Sequence, residues 1–340
     1  MTGRRTPLPG EPLAVIRDDL DAHPASRAWR AVERRASPPT AIEVLERVRR
    51  RSGVFRLRGA GPAGGDVIAK RRPPGDLDDE RRLYERVLPA LAVPTANWLG
   101  FLEVVGEEAW LFLEDVGEVW YRPDDAEHRA MAVRWVAGLH TGGRPVAEWL
   151  PQTGPFSFRR VLDDAVTGLR AAIRHPALSH EGRQVVDGIR RQLDRAADAW
   201  GEVELACAEM PSTLAHGDFV PKNVRVRVRN GAPELVAFDW ETAALGPPAV
   251  DIAMLPGGRD GRRAYLAAVS EAWPGVRAEH VDGMQAVGLL FRLLHEVLWA
   301  SQRIHHEYIE RAVQGMALYE PSLDRVLCDG GWRLERTAPA

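Results

Sequence analysis

Between Asn223 and Phe238 the chain reads as one tight β-hairpin, and that hairpin constrains what can form around it. Val224, Val226 and Val228 alternate with Arg225, Arg227 and Arg229, Asn230-Gly231 is a strong two-residue turn signal, and Leu235 to Phe238 returns. Strands joined by so short a turn end side by side. Asp239, at the end of the returning strand, is therefore brought back towards the loop Leu214-Ala-His216-Gly217-Asp218-Phe-Val-Pro-Lys222-Asn223. Asp218, Asn223 and Asp239 are expected to converge. Asn223 and Asp239 are hard oxygen ligands of the kind Mg²⁺ accepts alongside phosphate oxygens. Asp218 is left to receive a proton from an attacking hydroxyl.

The same division of labour operates in kinases, where H-R-D-x-x-x-x-N supplies base and ligand and a following Asp supplies the other metal contact. Here Gly217 stands in place of the Arg, and the metal Asp is followed by Trp240-Glu241 instead of Phe-Gly. His216-Gly217-Asp218 with Asn223 five residues on, then Asp239-x-Glu241, Gly246-Pro247-Pro248 and Asp251-Ile252-Ala253, resembles the aminoglycoside phosphotransferase and choline kinase-like family of small-molecule kinases. An isolated His-Gly-Asp would be an ordinary turn with a solvated carboxylate; the ordered set carries the resemblance. It implies that Asp218 is the catalytic base and that Asn223 and Asp239 bind magnesium.

Composition narrows the classes without choosing among them. The 340 residues, 45% hydrophobic and 27% charged, are enough for two core-bearing lobes. A net charge of −3 gives no cationic field, which argues against a nucleic-acid partner. No apolar run reaches the length of a membrane span and the N-terminal residues carry no secretory apolar core, so no membrane partner and a cytoplasmic location are the expectation. Cys207 and Cys328 are too few and too far apart for a disulfide framework or a zinc cluster, and read as structural thiols. Of 45 basic residues only Lys70 and Lys222 are lysines; the other 43 are arginines. A lysine kept in such a background marks a place that needs a compact charge with freely rotating donors, not a planar fork.

Residues 1–40 contain Pro7, Pro9 and Pro12 and then a helical pattern from Leu13 towards Ala36, read as an extension packed on the first lobe. Strands are expected from Ala41 to Arg50, Val54 to Arg58 and Asp66 to Arg71. Lys70 ends Val67-Ile68-Ala69-Lys70, matching the kinase strand whose Lys pairs with the α and β phosphates. Gly59-Ala-Gly61-Pro-Ala-Gly64 is a literal G-x-G-x-x-G, yet a strand follows it where a dinucleotide site needs a helix, and it lies too near Lys70 for a kinase glycine loop. It reads as the turn between the second and third strands. The phosphate-covering turn is then Arg51-Ser52-Gly53. Leu77, Leu83 and Val87 give helical spacing from Asp76 to Leu91, with Glu80 and Glu85 available to pair with Lys70; the resemblance implies Glu80 as that partner, with Glu85 as the fallback.

Trp110-Leu-Phe-Leu113-Glu114-Asp115-Val116-Gly117 is a buried strand that breaks into a polar segment and resembles the family's hinge, which implies that the backbone around Glu114 and Val116 meets the adenine. The lobe boundary is placed there, giving an N-lobe over 41–116 and a C-lobe over 117–335. Helices are expected from His128 to His140, across Phe156 to Trp200 and across Val281 to Leu318, with His140 packed structurally and His305-His306 facing solvent. There is no Walker A lysine, no G-x-S-x-G elbow, and Trp299 stands where a zinc-protease helix needs its second His.

The resemblance implies an α+β, two-lobed protein-kinase-like fold with a small β-rich N-lobe and a larger, mainly helical C-lobe. It implies an ATP- and Mg²⁺-dependent transfer of the γ-phosphoryl group to a hydroxyl of a small molecule, an antibiotic or another metabolite alcohol. Arg292, Glu296, Arg303, Glu307, Glu310 and Arg311 alternate in sign along the C-terminal helices, which argues against a strongly cationic acceptor. Lys222 is a candidate to meet the transferring phosphoryl group. A nucleotide-binding module without catalysis is the alternative, and the joint presence of Lys70, Asp218, Asn223 and Asp239 argues against it.

Overall fold

In the computed structural model of the protein the described residues are 11–49, 52–143, 149–304 and 309–329. In chain order the first elements are β1 (Ala14–Ile16), α1 (Pro24–Val32), β2 (Ile42–Arg49), β3 (Ser52–Leu57), β4 (Val67–Arg72), α2 (Asp78–Arg82), β5 (Trp98–Val104), β6 (Glu108–Glu114) and α3 (Ala126–Gly142). They are followed by α4 (Pro155–Ile173), α5 (His180–Asp198), α6 (Trp200–Ala208), β7 (Thr213–Ala215), β8 (Val224–Arg229), β9 (Ala232–Ala237) and β10 (Ala244–Gly246). The chain ends with α7 (Ala249–Ala253), α8 (Gly258–Val269), α9 (Ala278–Arg303) and α10 (Ile309–Asp329). Two compact units result: Met1–Met131 with Phe219–Thr242, and Ala132–Asp218 with Ala243–Ala340.

The first unit is built on an antiparallel sheet of order β1-β2-β3-β4-β6-β5 among the described residues. Alternation along each strand divides its side chains between two faces. Phe55 and Leu57 of β3, Val67 and Ala69 of β4 and Trp110 and Phe112 of β6 turn to one side, where Trp29 of α1 packs against them. Trp29 lies with its ring centroid 5.1 Å from that of Phe112, and its indole N–H donates to the Ala60 carbonyl at 2.8 Å. Burying such side chains stabilises the unit by about 1.5–3 kcal/mol each. Val54, Arg56, Ile68, Lys70 and Arg72 point to the opposite face and line a cavity.

The hairpin belongs to the same unit. β8 pairs with β9 from Val224↔Ala237 to Arg229↔Ala232, and Asn230 and Gly231 both take positive φ (52° and 79°), the turn that matches strand twist. Bridges from Thr95 to Ala237 and from Trp120 to Arg225 fasten it, and Arg227 forms ion pairs with Glu114 at the end of β6 and with Glu234.

Helices dominate the second unit. Phe158 of α4 stacks on Phe291 of α9 with ring centroids 3.7 Å apart, and β7 pairs with β10 through Leu214↔Leu245. Among the described residues no helix is long and apolar enough to cross a membrane.

Two sequence expectations need correction. The pattern from Leu13 towards Ala36 is not one helix: Ala14–Ile16 pairs with β2, Asp19 turns the chain with φ 50°, and the helix starts only at Pro24, whose missing N–H costs nothing in the first turn. The run from Asp76 to Leu91 is a broken helix, with a wider π-type turn over Leu83–Val87 and a 3₁₀ turn over Leu88–Ala90. Gly59 to Gly64 does form the β3–β4 turn, with a short 3₁₀ segment at Pro62–Gly64. His305 and His306 lie outside the described residues.

Candidate active site

Lys70 is the centre of charge in the first unit. Strand alternation turns it to the cavity side of β4, where its Nζ lies 2.8 Å from Glu80 Oε2, 2.6 Å from Asp239 Oδ1 and 3.4 Å from Glu241 Oε2. Its side chain is 7% exposed and that of Glu80 1%. Burial alone would lower the Lys70 pKa, but the charges of Glu80, Asp239 and Glu241 outweigh it and hold the ammonium charged. Burial pushes the Glu80 carboxyl above its ordinary range against the pull of Lys70, and the charge of Asp239 adds to the rise. Three carboxylates around one ammonium leave an excess of negative charge.

Asn223 and Asp239 reach the same cavity because of the hairpin. The Phe238 N–H donates to the Asn223 carbonyl at 3.1 Å, one step beyond the Val224↔Ala237 pair, so the residues flanking the two strands lie side by side. Asp239 takes φ 68°, a left-handed conformation that Asp tolerates better than most residues, and Asn223 is buried. The cavity has a volume of about 370 Å³, within the range of small-molecule sites. Arg225 forms another part of its lining, with its guanidinium carbon 3.5 Å from the Trp120 ring centroid and 5.1 Å from that of Phe238. Burial pulls the Arg225 guanidinium down to about 10. Arg56, also in the lining, is buried and ion-paired with Asp115 and Glu43.

The second unit holds Asp218, and local sequence explains how it is presented. Gly217 takes φ 81°, a turn that most side chains would strain, directly before the Asp. His216 is fully buried; its ring Nδ1 accepts from the Asp218 N–H at 3.3 Å, and its edge packs on Trp135. Asp251 of α7 anchors the loop from beneath, accepting the His216 N–H at 2.7 Å and the Gly217 N–H at 2.9 Å. It also meets His140 Nε2 at 3.1 Å. Burial would raise the Asp251 pKa, but hydrogen bonding and charge from His140, with His216, hold the carboxyl below its ordinary value. An ionised carboxylate only accepts, so His140 Nε2 carries a proton towards Asp251, and the other ring nitrogen, Nδ1, lies 2.8 Å from the Tyr265 hydroxyl. Asp218 Oδ1 lies 3.5 Å from Arg292 Nη1 of α9.

A model of the phosphotransferase enzyme family matches residues 16–286, most of the chain. The chain belongs to this family. No relative of the phosphotransferase was found by sequence among curated proteins. Solved structures share its fold at low identity. The GDP complex of an aminoglycoside 2'-phosphotransferase-IIIa superposes with TM-score 0.61 at 14% identity, covering 87% of this chain and 97% of that one. A spectinomycin phosphotransferase, solved with ADP and spectinomycin, gives 0.56 at 9% identity over 86% and 94%. An aminoglycoside phosphotransferase from Alicyclobacillus acidocaldarius gives 0.55 at 15% identity over 85% and 92%. The phosphotransferase therefore has the two-lobed, α+β protein-kinase-like architecture, with its sheet towards the N-terminus and helices dominating the C-terminal part.

Of the residues singled out in sequence, Lys70, Glu80, Glu114, Val116, Lys222, Asn223 and Asp239 all line the first-unit cavity. Ser52 and Gly53 do not line it. They open β3 instead of forming a turn, Gly53 pairing with Arg71, and the expected turn residue Arg51 lies outside the described residues. Glu85 makes no ion pair with Lys70, and Glu114 is engaged by Arg227 and Asn97. Arg56 and Arg225 in the first-unit cavity, Glu241 beside Lys70, and Arg292 beside Asp218 in the second unit were not singled out for these places. For Glu241 the signal was its place in Asp239-x-Glu241, and for Arg225 it was the Val-Arg alternation of β8, which puts Arg225 and Arg227 on one face.

Proposed function

We propose that the protein transfers the γ-phosphoryl group of ATP to a hydroxyl of a small molecule, with Mg²⁺ bound. The observation that carries this reading is the Lys70–Glu80 pair in a cavity that also receives Asn223 and Asp239. Glu80 fixes the Lys70 ammonium, whose donors serve the α and β phosphates. The backbone around Glu114 and Val116 meets the nucleobase. That structures of the same fold were solved with ADP or GDP supports a nucleotide at this cavity.

The donor set suits the metal. Asn223 offers an amide oxygen and Asp239 a carboxylate to one cavity, and Mg²⁺ takes few protein oxygens and keeps the rest of its octahedron for phosphate and water. Lys70 already shares its charge among three carboxylates, so a divalent cation is the natural companion of the nucleotide. When bound, Mg²⁺ neutralises charge that builds on the phosphoryl oxygens.

Asp218 is the base. Its carboxylate orients the acceptor hydroxyl and takes its proton as the new O–P bond forms and the bond to the β-phosphate oxygen breaks, releasing ADP. Held by the His216 ring and, through Gly217, by Asp251, it needs little reorganisation to do so. Lys222 supplies a mobile positive charge to the equatorial oxygens. The requirement for ATP suits a cytoplasmic setting.

The test is incubation of the purified protein with Mg·ATP and a panel of hydroxylated small molecules, read by mass. A gain of one phosphate on an acceptor, dependent on Mg²⁺, is expected. Nucleotide binding with no transfer to any acceptor would leave only a binding module.

A further inference from the structure

The second unit contains a cation whose place beside Asp218 the proposed reaction does not use. Arg292 Nη1 lies 3.5 Å from Asp218 Oδ1, and both side chains remain partly exposed, at 28% and 23%. A guanidinium carries five N–H donors in a rigid fork. Among the described residues none of those of Arg292 is spent in a hydrogen bond, and Asp218 is its one ion-pair partner. Glu296, the acid one turn further along α9, accepts instead from the Tyr319 hydroxyl at 3.1 Å. Burial lowers the pKa of His295, which sits against Phe158 at 5.2 Å and stacks on Trp299 at 5.7 Å.

The arginine is held there by backbone packing. Gly288 sits one turn before Arg292 on α9, and a Cβ at that position would meet the Ala249 carbonyl of α7 at 1.9 Å. Only glycine allows the two helices to approach so closely. α7 also carries Asp251, which grips the His216 and Gly217 N–H groups. Arg292 and the loop carrying Asp218 are thus both held against one short helix.

We propose that Arg292 is an acceptor-binding residue, and that the acceptor carries an oxyanion, a carboxylate or a phosphate, close to the hydroxyl that is phosphorylated. The inference rests on Asp218 serving as the base. An oxyanion can take the unspent N–H groups in a paired contact, while the fork's remaining edge stays towards Asp218. A polyamine acceptor would meet this fixed positive charge at the point where its hydroxyl must dock.

Saturation-transfer NMR with the full-length protein tests this on four probes of similar size: gluconate, glucose 6-phosphate, glucose and glucosamine. Gluconate or glucose 6-phosphate should bind roughly fivefold or more tightly than glucosamine, and which of the two leads identifies the oxyanion. Arg292→Gln should bring the anion-to-glucosamine ratio close to one, Arg292→Glu should invert it, and Arg292→Lys should keep part of it, with melting temperatures reporting folding. Equal binding of all probes, no binding of any, a wild-type preference for glucosamine, or an unchanged ratio in Arg292→Gln each overturns the proposal. Phosphate transfer is followed separately by mass. Absence of transfer with the anion ranking intact would overturn the base role of Asp218 and leave the anion site standing.

Discussion

Asp251→Asn is a sharp perturbation, because it changes hydrogen bonding while nearly conserving volume. Both oxygens of Asp251 are in use: Oδ1 accepts from Gly217 N–H, and Oδ2 accepts from His216 N–H and His140 Nε2–H. Asp251, His216 and His140 are all fully buried, so water cannot replace a lost partner without cost. An amide in place of the carboxylate turns an NH₂ towards at least one of these donors. Leaving a buried donor unsatisfied costs about 1–3 kcal/mol, and the charge assistance of the remaining bonds is lost as well. A destabilisation of about 2–4 kcal/mol follows, which in a unit of this size lowers the melting temperature by roughly 5–15 °C. The dependence on pH has a definite sign. Because the Asp251 pKa is held below its ordinary value in the fold, the stabilisation is fully present above the unfolded value near 4 and is lost as the pH falls through the folded one. Calorimetry from pH 3 to 8 should show a constant gap between wild type and variant near neutrality and a narrowing gap in acid. A variant within roughly 0.5 kcal/mol of wild type at pH 7, or a gap that widens in acid, would refute the anchoring role.

Lys70→Met removes the ammonium that three carboxylates share and leaves Glu80 buried without its cationic partner, which should cost about 3–5 kcal/mol in chemical denaturation. Glu80→Gln added to that variant should restore part of the loss, and additive effects would show that the pair is not coupled. Asp239→Ala should abolish Mg²⁺-dependent nucleotide binding in isothermal titration calorimetry, and an unchanged affinity would make Asp239 structural only. Lys222→Met should lower kcat with little change in the KM for ATP, and Lys222→Arg should rescue poorly because a planar fork does not replace a compact charge; wild-type rates in the Met variant would return Lys222 to the surface.

What could be read from the sequence was mostly local. The hairpin was legible because alternation and an Asn-Gly turn both act over a few residues, and with the hairpin came the adjacency of Asn223 and Asp239. Lys70 and Glu80 were legible through the resemblance to the kinase strand and its helix Glu, although the helix itself is broken by its π-type turn. The N-terminal segment was misread because β1 exists only through pairing with β2, more than twenty residues on, which no periodicity within Leu13 to Ala36 reports. Ser52 and Gly53 were read as part of the turn between strands expected at Ala41 to Arg50 and Val54 to Arg58, yet ladder pairing with β4 extends the strand through Gly53. Arg292 was invisible for a stronger reason: its place beside Asp218 is fixed by two helices packed at Gly288, across a long separation in the chain.

The most direct measurement of the central claim is the rate of phosphate transfer by Asp218→Asn, set beside its affinity for Mg·ATP. Removal of the base and hydroxyl-orienting group should lower kcat by at least roughly a hundredfold while nucleotide affinity stays near that of the wild type, because Lys70, Asn223 and Asp239 are untouched. Near-normal turnover in Asp218→Asn would contradict the account.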